Sequence, residues 1–170
     1  MRVVLKHMVV HPQQVTVAHV VACAAAKQGK FQEFYAAFWK HGFEPYASQR
    51  DPSMLSEDNV FKIAADVGVD PTRMQADVPS CQSVIAADEE ELRKFKVNGT
   101  PAFFINGEFI GGGIPKEAFK QVIDQKLAIA ERSGVPGAVY YEQEIRGKGE
   151  KSVQPRDKRG GARPAARPAR

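Results

Sequence analysis

The 170-residue chain is long enough for one domain plus a tail, and its 43% hydrophobic content suffices for a globular core. The net charge of +4 is unevenly placed: from Lys148 to Arg170 eight basic residues face two acidic ones, so this tail carries +6 and residues 1–147 carry −2. The basic balance therefore belongs to the tail and does not make the folded part a nucleic-acid binder, and no window reaches the ~18 apolar residues of a membrane-spanning helix.

Arg2–Val10 is a β-rich, nearly continuous apolar run ended by His11-Pro12, the pattern of a strand buried on both faces. Lys6 interrupts the run, which is too short for a secretory leader; the chain as written is expected in the cytoplasm. Thr16–Lys27 is Ala- and Val-rich with Gly29 beyond it, a helix with a glycine stop. Phe31, Phe34, Tyr35, Phe38 and Trp39 share one helical face up to Gly42, expected to pack into a core. Phe43 to Ser53 is expected to be loop. Ser56 caps a helix carrying Val60, Ile63, Ala64 and Val67 and closed by Gly68. Asp70-Pro71 opens a short helix to about Asp77, and Ser80 caps another over about Cys81–Lys96.

Val97-Asn98-Gly99-Thr100-Pro101-Ala102-Phe103-Phe104-Ile105-Asn106-Gly107-Glu108-Phe109-Ile110 follows as strand, tight turn, strand. Asn-Gly between apolar runs is a strong hairpin signal, because a type I′ turn needs positive φ at both central residues. Pro101 cannot donate to a ladder, so it belongs at a strand's first residue or on an edge. Gly111-Gly112-Gly113 ends the hairpin, and Pro115 starts a helix with Phe119, Val122, Ile123 and Leu127 on one face. Ser133–Gly137 is a break, and Ala138–Ile145 reads as a short helix or a strand. From Gly147 on, Arg, Pro, Gly and Ala dominate, a composition expected to stay disordered.

The hairpin, together with Ala24-Ala25-Ala26-Lys27-Gln28-Gly29-Lys30-Phe31 and Val3-Val4-Leu5-Lys6-His7, resembles the DsbA-like thiol-disulfide oxidoreductases from about Arg2 to Leu127. The resemblance implies an α/β, thioredoxin-like fold with a helical insertion at about 13–96. The partial domain spans 1–132, with a C-terminal extension at 133–146 and a basic tail at 147–170. It implies a cis Thr100–Pro101 bond and a substrate-binding loop of Gly99, Thr100 and Pro101 that receives protein or peptide substrates. It also implies an extracytoplasmic setting, at odds with the absent leader. In the family a strand and a helix beginning with Cys-x-x-Cys come first. Here they would precede Met1, so the chain is expected to be an N-terminally truncated copy, inactive alone, with no catalytic residue assigned. The alternative is a non-catalytic module that binds a peptide or a strand-donating partner, or self-associates. Without its central neighbour, Arg2–Val10 is expected to pair directly with the strand after Pro101 or to present an open edge.

Cys23 and Cys81, 58 positions apart, are not a Cys-x-x-Cys pair. They leave open a structural disulfide or two free thiols, with a redox role the minor alternative. His7, His11, His19 and His41 fit no zinc spacing and read as scattered structural or surface histidines, so no metal and no cofactor is expected. Asp88-Glu89-Glu90-Glu91 reads as a solvated helix face paired to Arg93 and Lys94. For the tail, a solvated segment without a dedicated nucleic-acid or lipid partner is the expectation.

Overall fold

The computed structural model describes residues 2–153. From residue 154 on, the expected disordered tail lies outside the described residues.

Four helices build the main body: α1 (Pro12–Lys27), α2 (Phe31–Phe38), α4 (Glu57–Asp66) and α5 (Pro71–Lys94), with a short α3 (Glu44–Gln49) following α2. α1 starts four residues ahead of Thr16 because Pro12 occupies the first turn, where a missing N–H costs nothing. It ends at Gly29, whose φ of +71° lets the Gly29 and Lys30 N–H groups close onto the Ala26 and Ala25 carbonyls. Ser56 and Asp70 cap α4 and α5 by accepting from the N–H groups of Asn59 and Arg73.

Phe43–Ser53 is largely helical rather than loop: a π-turn at Trp39–Phe43 joins α2 to α3, and a 3₁₀ turn spans Pro52–Leu55. Pro45 has no N–H to give to the His41 carbonyl. The wide turn absorbs this: the Glu44 N–H reaches back to the Trp39 carbonyl, and the Asn59 side chain donates to the His41 carbonyl at 3.4 Å. A Cβ at Gly42 would lie 3.1 Å from the Phe38 ring, a tight approach. Likewise, the two helices expected over 71–77 and 81–96 are one helix running through Pro79. An interior proline costs about 3 kcal/mol. Here α1 grips α5 around it: Lys27 Nζ donates to Asp77 Oδ1 and Ser80 Oγ, and Cys81 is bonded to Cys23.

The core is formed by Val20, Val21 and Ala24 of α1, Phe34 of α2, Val60 and Ile63 of α4, and Met74, Cys81 and Ile85 of α5. The aromatic stripe divides. Phe34 is buried and stacks on Phe38, whereas Tyr35 and Trp39 are exposed in a file of rings running Phe31, Tyr35, Trp39, Phe43 and Tyr46.

Beyond the helical body, β1 (Ala102–Ile105) and β2 (Glu108–Gly111) pair antiparallel, Ile105 opposite Glu108 and Ala102 opposite Gly111. Asn106 and Gly107 have φ of 45° and 86°, as the two-residue turn requires. α6 (Lys116–Arg132) packs on β1 through the Phe103–Phe119 edge contact, and Lys126 pairs with Glu108 at 3.0 Å. No residue of β1, β2 or α6 is buried. Residues 138–145 are helical, not strand: α7 (Gly137–Tyr140) continues into a π-turn at Tyr141–Gly147.

Arg2–Val10 is not a strand, and it does not pair with β1. It runs extended along α5, and the acidic run Asp88–Glu91 takes up its donors. His7 N–H goes to Asp88 Oδ2 (2.9 Å), Val9 N–H to Glu89 Oε1 (3.3 Å), and Lys6 Nζ to Asp88 and Glu91. The run is therefore not uniformly solvated: Asp88 is buried, while Glu90 pairs with Lys94 on the outer face.

Candidate substrate-binding site

The Gly99–Pro101 loop is placed by the end of α5. Phe95 closes the helix and Lys96 takes the left-handed conformation (φ 55°), so that the Lys96 and Val97 N–H groups return to the Arg93 and Leu92 carbonyls. Buried Val97 then anchors the chain. Thr100 and Pro101 emerge exposed, and the bond between them is cis.

The ladder decides which backbone groups remain free. The Gly112 N–H donates to the Pro101 carbonyl at 2.8 Å, and the two-residue turn closes at Ile105 and Glu108. In an antiparallel pair hydrogen-bonded positions alternate. Pro101, Phe103 and Ile105 thus face β2, while Ala102 and Phe104 turn their N–H and C=O groups to the opposite edge. Among the described residues no third strand covers that edge. Beside it, Phe104 and Phe109 lie on the face away from α6, their rings 5.1 Å apart, with Phe95 5.4 Å from Phe104. Both phenylalanines of the hairpin pair are exposed.

No thiol accompanies this loop. The chain has two cysteines, and Cys23 and Cys81 are bonded to each other, with Cα atoms 5.7 Å apart, inside the helical core. Among the described residues no group of three or more His, Cys, Asp and Glu is arranged to hold a metal, and no helix is long and apolar enough to cross a membrane.

Two of the histidines expected to be scattered come together: His7 Nδ1 and His19 Nδ1 are 3.1 Å apart, the rings edge to face. Their spacing of 12 residues carries no helical or strand period, so only the docking of the extended segment on α1 reveals the pair.

A two-stranded hairpin backed by one helix and preceded by a disulfide-closed helical unit is consistent with a thioredoxin-like fold with a helical insertion. The model of the DSBA-like thioredoxin domain matches residues 2–138, and the chain belongs to that family. No curated protein and no solved structure matches the chain.

Proposed function

We propose that residues 2–138 act as the substrate-holding part of a thiol–disulfide exchange system, with no redox thiol of their own. An extended protein or peptide segment lies along Gly99, Thr100 and Pro101 and the free edge of β1. The observation that carries this reading is that edge: the Ala102 and Phe104 backbone groups are unpaired by any described strand, next to exposed Phe104 and Phe109. A peptide added there gains main-chain hydrogen bonds, and alternate side chains meet the apolar face. Exchange itself requires a thiolate to attack a disulfide, and both cysteines are already bonded to each other. The same edge supports a second reading, a non-catalytic module completed by a strand from a partner chain.

An extended apolar peptide titrated against the protein, followed by fluorescence anisotropy, should bind saturably. Phe104→Lys should weaken binding about tenfold, or ~1.4 kcal/mol. Insulin disulfide reduction should not exceed that of the Cys23→Ala/Cys81→Ala double variant. Failure to bind any extended peptide overturns the holding role; a thiol-dependent rate overturns the assignment of no redox thiol.

A further inference from the structure

We propose that the His7–His19 contact is an acid-released latch that fastens the extended segment 2–10 to the α1–α5 helix pair. The segment has little apolar anchorage at its start, since Val3, Val4 and Leu5 are 70%, 51% and 61% exposed. It is fastened instead around its middle by polar groups, and at Val9, which packs against the core. Val9 also forms a wall of a groove of about 390 Å³ between Pro12, Thr16 and Val20 of α1 and Ile85 and Glu89 of α5.

The pair's chemistry follows from its geometry. Two Nδ1 atoms at 3.1 Å share one proton: one donates and the other accepts. A first added proton can reside on the donor's ring and leave the contact intact. A second places N–H against N–H, and the rings must part. Burial pushes both histidines below their ordinary 6.5, and His7 adds its own charge to the penalty on His19. The facing groups on α5 are Asp88 toward His7 and Glu89 toward His19; each favours the charged form of the ring it faces, and burial outweighs both. Lys6 on the segment is neutralised by Asp88 and Glu91, and His11 stands at the start of α1. Because the folded values lie below the unfolded one, the contribution is complete above 6.5 and declines as pH falls through the folded values. Release removes Val9 from the groove wall and frees the His7 and Val9 N–H groups.

The test is a pH titration of the full chain from about pH 7.5 to about pH 5. Imidazole ¹⁵N shifts are read for His7 and His19, with amide protection factors for His7 and Val9. Two linked steps below 6.5 are expected, with protection at both amides falling at least about tenfold across the second, while protection in α4 is unchanged. His19→Gln, which cannot charge at that position, should retain protection down to about pH 5. Independent titration of the two rings near 6.5 overturns the proposal, as does unchanged protection in the parent chain or the same release midpoint in His19→Gln. Should His19→Gln fail to fold by circular dichroism, the imidazole shifts of the parent chain decide alone.

Discussion

Asp88 accepts the backbone N–H of His7 at 2.9 Å across 81 residues of sequence, and the same carboxylate binds Lys6 Nζ at 2.9 Å. With Glu89 accepting the Val9 N–H, carboxylates of α5 take backbone donors that a neighbouring strand would take in a sheet.

Asp88→Asn keeps the shape but turns one acceptor into a donor, opposite a donor on the segment. The expected cost is about 1–3 kcal/mol, read by urea denaturation, with loss of amide protection at His7 and helical content retained. Hydrogen bonds to Asp88 and Glu91 hold the Lys6 ammonium above its ordinary 10.5. This contribution is complete below 10.5 and is lost as pH rises through the higher folded value. Lys6 is substantially exposed, so the effect is small; Lys6→Met should flatten the alkaline decline of stability.

The Cys23–Cys81 bond closes a loop of 58 residues at the centre of the helical core. Chain entropy alone assigns such a closure about 4 kcal/mol. Reduction, or the double alanine variant, should lower the denaturation midpoint by a corresponding amount. An unchanged midpoint would mean that the bridge adds nothing to the packing of α1 on α5.

Gly107 has a φ of 86° with open space around the position of a Cβ, so Gly107→Ala pays only for backbone conformation. A cost of about 1–2 kcal/mol is expected, concentrated in the hairpin. Hydrogen exchange should show the loss at Phe103 and Ile110 and not in α1.

The free β1 edge and the exposed Phe104 and Phe109 favour association between copies. Sedimentation velocity should show concentration-dependent association, reduced by Phe109→Lys. Supplying a strand–Cys-x-x-Cys–helix segment from a related protein should give a monomer with a sharper melt. A parent chain that stays monomeric at high concentration and melts in one steep step would argue that the edge is already protected.

What could be read from the sequence was what local chemistry dictates. The caps at Ser56 and Asp70, the stops at Gly29 and Gly68 and the Asn106-Gly107 turn each rest on one or two residues, and each stands where its chemistry puts it. The misread elements depend on distant partners. Residues 2–10 have strand composition, but a strand requires a neighbour, and theirs is the flank of a helix. The break expected between Asp77 and Ser80 does not occur, because Pro79 is tolerated through Lys27 and Cys23, more than 50 residues away. Phe43–Ser53 reads as loop in sequence because Asn59, a distant residue, supplies the donor that Pro45 lacks. At the candidate site, Gly99, Thr100 and Pro101 were visible as a motif. The exposure of β1 was not, since it follows from which ladder positions face β2.

The covalent closure of residues 23–81 divides the molecule by mechanical robustness. Nearly all buried side chains lie within that loop or just outside it, whereas the hairpin and α6 bury none. Under mild denaturant the helical half should therefore survive while the half bearing Thr100 and Pro101 loosens. The Gly99–Pro101 loop would then be a pliable appendage on a rigid frame, able to change shape without disturbing the core.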